Sequence, residues 1–200
     1  MVRTGRPRGF DEEAVVARAV EVFRRRGYAG TSVQDLVDEL GLQRGSLYGA
    51  FTDKRGLFRR ALQAYVDASA AAVEGLRAAD PVVPALREFL SGPLRPAPGG
   101  RYDGCLLGNT AVENEAVDDD ALRAVTAALA TIEDAVREAL ERAHRSGELP
   151  PGDAAGQARL LVALTQGLQV VGQTGLDRAR SRDAVDAALA ALGHRPPGGG

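Results

Sequence analysis

The chain has 200 residues, of which 44% are apolar types and 26% charged, with a formal net charge of −2. Such a composition describes one folded chain, or a small domain joined to a larger one, and no apolar run approaches the roughly 18 residues of a membrane span. Cys105 is the single cysteine, which excludes an intramolecular disulfide, and the N-terminus lacks the apolar stretch of a signal peptide, so a cytoplasmic location is expected.

No stretch alternates as a strand does, and abundant Ala and Leu predict an all-α fold. The charge is unevenly spread. Residues 1–60 carry twelve Arg or Lys against eight Asp or Glu, a balance of +4, and the rest of the chain carries −6. A basic first third on an acidic remainder is expected to face a polyanion.

Residues 1–9 read as a basic flexible arm containing Arg3, Arg6 and Arg8. Asp11 is a good N-cap, and Val16, Ala19, Val20 and Phe23 recur at helical spacing. With Gly27 as the stop, these predict a first helix up to Arg26. Thr31 with Gln34 three residues on has the capping-box pattern, so a second helix is expected from Thr31 to Gly41. Its buried face is Val33, Leu36, Val37 and Leu40.

The next stretch, "GLQRGSLYGAFTDKRGLF", holds a short helix with few residues able to hold a core. Gly45 and Gly49 each cost that helix roughly 1 kcal/mol relative to alanine. Two helices joined by a tight glycine-containing turn form a helix-turn-helix, whose second helix can lie in the major groove of DNA. On that reading Gly45 and Gly49 allow close approach, while Gln43, Arg44 and Ser46 offer donors and acceptors. Arg44 suits a bidentate contact to guanine. Tyr48 is expected at a phosphate. So are Lys54 and Thr31, each at the start of a helix where amides favour an anion. Arg3, Arg6 and Arg8 are expected in the adjacent minor groove or on phosphates.

A long helix begins near Asp53, with Leu57, Phe58, Ala61, Leu62, Tyr65, Val66, Val73 and Leu76 in one stripe. A short helix is expected over Pro84–Leu90, then a loop over Ser91–Gly100. Another helix is expected from Asp103-Gly104 to about Glu115, and the acidic run at 118–120 caps a long one. In that long helix Leu122, Val125, Leu129, Ile132, Val136 and Leu140 recur at three and four residues. Helices over Ala154–Thr174 and Arg182–Leu192 complete the chain.

Residues 10–58 resemble the DNA-binding domain of the TetR family of transcriptional regulators. The resemblance rests on "AVEVFRRRGYAGTSVQDLVDELGL" followed by "RGSLYGAFTDKRGLF". Gly49-Ala50 departs from the Tyr and His that many members carry there. The resemblance implies a three-helix reading domain at 10–56 and a larger helical ligand-sensing and dimerisation domain at 57–194. The arm at 1–9 and a disordered tail at 195–200 flank them. It implies a regulator, a repressor, that binds a palindromic double-stranded DNA operator as a homodimer and is released by a small-molecule inducer. No cofactor and no membrane partner is implied. The dimer face is expected to hold Leu161, Leu164, Gly167, Leu168, Val171, Val185, Leu189 and Leu192. The ligand pocket is expected to hold Cys105, Asn109, Glu113, Gln166, Gln169 and Gln173. An alternative is a redox- or electrophile-sensing repressor acting through Cys105, which "DGCLLGNTAVE" places at a helix start where peptide dipoles favour the thiolate.

No enzymatic activity is expected. Glu141 and His144 have the Glu-x-x-His spacing of a helical di-iron site, but His194 has no glutamate three residues before it to supply the second copy, and no metal is expected.

Overall fold

The computed structural model describes residues 10–94, 104–175 and 178–194; Arg3, Arg6, Arg8 and the tail at 195–200 lie outside the described residues. Among the described residues the structure is all-α. Its helices are α1 Glu12–Arg26, α2 Val33–Leu40, α3 Arg44–Phe51, α4 Lys54–Ala78, α5 Val82–Ser91, α6 Leu106–Val112, α7 Asp119–Ser146, α8 Ala154–Gly172 and α9 Arg178–Ala191.

Local chemistry explains most of the helix ends. Asp11 accepts the Glu13 amide at 3.0 Å, and Arg24, Arg25 and Arg26 occupy the last turn of α1, where the helix dipole is negative. The α2 cap is Ser32, one residue later than expected. Ser32 and Asp35 form the reciprocal capping box, and the Ser32 hydroxyl and amide hold the Asp35 carboxyl at about 2. Thr31 is instead buried beneath the turn. Gly41 closes α2 in the left-handed region at φ 66°.

Other ends are set at long range. α5 begins two residues before the expected start because the Glu148 carboxylate, from beyond α7, accepts the Val82 amide at 3.1 Å and the Val83 amide at 2.9 Å. Those amides hold its pKa below the ordinary value although burial pushes the other way. The expected loop after α5 starts as a 3₁₀ turn, Gly92–Leu94. α6 is shorter than expected. Cys105 caps it and a turn at Glu113 ends it.

α4 packs along α7, α7 along α8, and α1 along α4. The seam of α7 is largely alanine. Ala121, Ala128, Ala135, Ala139 and Ala143 are buried beside Val125, Val136 and Leu140, whereas the expected stripe members Leu122, Leu129 and Ile132 are half-buried. Small side chains let the long helices approach closely.

The core has two parts. One joins α1 to α3 and the first half of α4 with Cys105, Leu106, Leu107 and the start of α7. The other joins the second half of α4 with α5, α8, α9 and the rest of α7. α4 runs through both, so the N-terminal unit and the helices beyond it share a continuous apolar interior. Among the described residues no helix is long and apolar enough to cross a membrane.

Candidate functional site

The turn from Gly27 to Ser32 holds the N-terminal unit together. Backbone bonds serve only part of it, the Gly27 amide to the Phe23 carbonyl at 2.9 Å and the Thr31 amide to the Tyr28 carbonyl at 3.3 Å, and the remaining buried groups require partners from elsewhere. Two side chains remote in sequence supply them. Lys54 Nζ donates to the Tyr28 and Thr31 carbonyls, both at 2.8 Å, and lies 4.1 Å from the Tyr28 ring centre. Glu113, at the end of α6, accepts the Tyr28 amide at 2.6 Å and the Ala29 amide at 3.3 Å. Its carboxylate lies against Gly27, whose φ of 70° and lack of Cβ are both required there. Beneath the turn, Phe58 packs edge-on to Phe23 at 5.1 Å and against Tyr28 at 4.8 Å.

Thr31 and Lys54, both expected at phosphates, have partners within the chain. Thr31 is 1% exposed and its hydroxyl donates to the Gly27 carbonyl at 2.6 Å. Lys54 spends its ammonium on the turn, and burial lowers its pKa while Glu113 opposes the fall. In this structure both side chains bind the chain itself.

α3 lies on the other side of the unit. Leu47 and Phe51 are buried and fasten it, while Gln43, Arg44, Gly45, Tyr48 and Gly49 are exposed and Ser46 is half-buried. The Arg44 guanidinium sits 6.0 Å from the Tyr48 ring. A Cβ built on Gly45 or Gly49 would have no protein atom within 4 Å, so packing within the chain gives no reason for either glycine.

The excess of cations in the first third is mostly consumed internally. Arg25 and Arg26 pair with Asp35 and Glu39 of α2, and Arg18 donates to the Glu39 and Leu40 carbonyls. Arg55 and Arg59 converge on Asp118, whose pKa falls well below the usual carboxylate range, chiefly through Arg59. Arg44 remains available on the exposed face of α3.

A cleft of about 600 Å³ opens between α4, α5 and α8. Its lining includes Arg24 of α1, Tyr65 of α4, Phe89 of α5, Cys105 at the cap of α6, Ile132 of α7 and Gln169 of α8. Arg24 Nε donates to the Gly104 carbonyl at 3.0 Å, and the guanidinium lies 5.7 Å from the Tyr65 ring. Burial raises the Tyr65 pKa, as does the neighbouring Cys105, whose Sγ is 3.8 Å from the hydroxyl. Gln166 also lines the cleft. The Gln169 Oε1 is buried without a hydrogen-bond partner.

Of the other expected pocket residues, Asn109 and Glu113 line a different seam. Asn109 Nδ2 donates to the Arg24 carbonyl at 2.7 Å, and Glu113 binds the turn. Gln173 is exposed, with its amide beside Gly104. Arg24 and Tyr65 were missed because one is part of a basic run and the other part of an apolar stripe. The row Ala68, Ala72 and Gly75, which leaves room for the cleft along α4, was the available signal.

The expected dimer face divides by burial. Leu161, Val185 and Leu189 are buried in the monomer core, and Leu164, Leu168 and Leu192 are half-buried. The outward stripe of α8 is Leu160, Ala163, Gly167, Val170 and Val171, with Leu160 58% and Val170 62% exposed. Of the expected α8 members Gly167 and Val171 lie on this stripe, whereas the leucines lean into the monomer.

Residues 15–61 match the family model described as bacterial regulatory proteins, tetR family, and residues 85–191 match that described as tetracyclin repressor-like, C-terminal domain. The chain is 36% identical over 192 residues to the uncharacterized HTH-type transcriptional regulator YezE of Bacillus subtilis (strain 168), covering 94% of this chain and 99% of that one. It is 45% identical over 67 residues to the HTH-type transcriptional repressor ComR of Escherichia coli (strain K12), 34% of this chain and 32% of that one. Among solved structures, a cysteine mutant of the TetR family transcriptional regulator CifR complexed with 26bp double-strand operator DNA is similar with a TM-score of 0.77. That likeness has 30% identity and covers 93% of this chain and 99% of the other.

The turn's dependence on Lys54 is open to measurement. Lys54→Met removes a charged donor from two carbonyls and should lower the unfolding free energy by about 1–3 kcal/mol in urea denaturation. A loss below roughly 0.5 kcal/mol would mean that water serves those carbonyls equally well.

Proposed function

The chain belongs to the TetR family of bacterial regulatory proteins, and from that premise we propose that it is a cytoplasmic repressor that binds a palindromic DNA operator as a homodimer and leaves it when a small molecule fills the α4–α5–α8 cleft. The observation that carries this reading is α6. Its cap residue Cys105 lines the cleft, and at its other end Asn109 and Glu113 hold the C-terminal end of α1 and the turn that leads to α2. An occupant that favours one position of α6 therefore biases the placement of the reading unit, through differential affinity for two arrangements.

In the DNA complex α3 enters the major groove. Arg44 and Gln43 read base edges, and Ser46 and Tyr48 meet base or phosphate. Gly45 and Gly49 bring the backbone close, which explains glycines with no packing role inside the chain. Arg3, Arg6 and Arg8 add phosphate or minor-groove contacts, which makes affinity fall with salt. Dimerisation through the outward stripe of α8, with α9 beside it, supplies the second half-site.

A second reading has Cys105 itself as the sensor. It is favoured by the place of the sulfur in the cleft lining and by the two donors on it, the Gly108 amide at 3.4 Å and the Tyr65 hydroxyl at 3.8 Å.

Three measurements test these proposals. Against a duplex selected from a random pool, Arg44→Ala should weaken binding roughly tenfold while leaving the unfolding free energy within about 0.5 kcal/mol, since the exposed guanidinium reads a base edge. Wild-type affinity in that variant would remove α3 from the groove. Val170→Arg should convert the dimer to a monomer in sedimentation at micromolar concentration; an unchanged mass would place the interface elsewhere. N-ethylmaleimide should release operator from the wild type but not from Cys105→Ser if the second reading holds, and equal release from both would reject it.

A further inference from the structure

The sensor reading leaves open what the cleft takes, and its lining is informative. The long wall along α4 consists of the small residues Ala68, Ser69, Ala72 and Gly75, the Ser69 hydroxyl being bound to the Tyr65 carbonyl, and Leu76, Phe89 and Leu90 add apolar surface. From Tyr65 to Leu76 this wall extends roughly 16 Å at 1.5 Å per helical residue. A volume of about 600 Å³ with such walls suits an elongated apolar body.

The other end is polar and is built around Arg24. Its Nε is bound to the Gly104 carbonyl, and among the described residues no carboxylate pairs with the guanidinium. The other charged side chain in the described lining, Glu88, is exposed at the rim and has interactions of its own. A half-buried guanidinium that no described carboxylate pairs is a site for an anion, and its planar fork fits a carboxylate in two parallel hydrogen bonds.

Gln169 belongs to the same end. A Cβ on Gly108 would lie 2.9 Å from the Gln166 Oε1, and one on Gly104 would meet the Gln173 amide. Gln169 lies between those two on α8, so it faces the Cys105 region where Arg24 is anchored. It is 3% exposed and its Oε1 lacks a donor. A buried acceptor left unpaired is costly, and an occupant that brings a hydroxyl removes that cost.

Resting on the sensor reading above, we propose that the cleft binds a medium-chain carboxylic acid that carries a hydroxyl near its carboxylate. The carboxylate pairs with Arg24, the hydroxyl donates to Gln169, and the hydrocarbon lies along Ala68, Ala72 and Phe89. Because Arg24 is part of α1, the occupant touches the reading unit directly. Drawing the guanidinium toward the acid competes with its bond to Gly104 and loosens the tie between α1 and the segment that starts α6.

Isothermal titration calorimetry of the full chain with 3-hydroxydecanoate, decanoate and 1-decanol tests this. The hydroxy acid should bind at least tenfold more tightly than the alcohol. Arg24→Gln should erase that preference, Arg24→Lys should retain most of it, and circular dichroism should confirm that both variants fold. Gln169→Leu should equalise 3-hydroxydecanoate and decanoate. Equal binding of alcohol and acids to the wild type, or a preference that survives in Arg24→Gln, overturns the assignment. Equal binding of the two acids to the wild type overturns the role of the hydroxyl. The same acids are then added to the protein on its selected duplex, where 3-hydroxydecanoate should release the wild type but not Arg24→Gln. If the protein holds DNA but responds only to neutral compounds, the ligand class is wrong and the sensor reading stands. If the acid binds with these preferences and no ligand affects DNA, the sensor reading fails instead.

Discussion

The backbone between α1 and α2 cannot satisfy itself, and the placement of the reading unit depends on how that is resolved. From Gly27 to Thr31 the Thr31 amide reaches the Tyr28 carbonyl within the turn, while two amides and three carbonyls take side-chain partners. Thr31 covers one carbonyl locally. Lys54 covers the other two, tying α4 to the turn, and Glu113 covers both amides from 85 residues away in the case of Tyr28. A polar debt in a five-residue turn thus becomes a joint between the first three helices and the rest of the molecule. Gly27 makes the joint possible, because a carboxylate occupies the space that any other side chain would need.

The electrostatics follow the same pattern of internal use. Acidic residues of α2 neutralise the last turn of α1, and Asp118 at the head of α7 gathers Arg55 and Arg59 from α4. These ion pairs are largely exposed, so each adds little stability, yet together they set the relative placement of four helices. What is left facing outward on α3 is sparse: one arginine, a tyrosine beside it and two bare glycine positions. A face with so few side chains is poorly suited to packing on another protein and well suited to a groove that must be entered closely.

The cleft depends on small residues in the same way. Alanines on α7 bring α4 and α8 close enough to share a core, while Ala68, Ala72 and Gly75 keep α4 from filling the space in front of it. The polar end of that space is built from helices far apart in sequence, and the cation in its described lining comes from α1. Sensing and reading are therefore proposed to meet in a single side chain, Arg24, instead of being linked through a long chain of contacts.

The amino-acid sequence alone determined that the fold is helical, where α1 to α4 lie to within a residue or so, and that "RGSLYGAF" is a short exposed helix after a glycine turn. Those properties are local: they follow from spacing, caps and glycine stops. Tertiary structure decided what the polar residues do. Lys54 and Thr31 turned inward because unpaired carbonyls lay within reach, and Asn109 and Glu113 became struts because α6 ends against α1. α5 started early because a distant glutamate capped it. The exposed stripe of α8 was legible only in part, at Gly167 and Val171. Leu161 and Val170 are equally apolar, and only the position of α7 and α9 determines which is covered. Periodicity identifies a stripe, but burial and hydrogen-bond satisfaction between remote segments decide which stripe faces inward and which polar group is already spoken for.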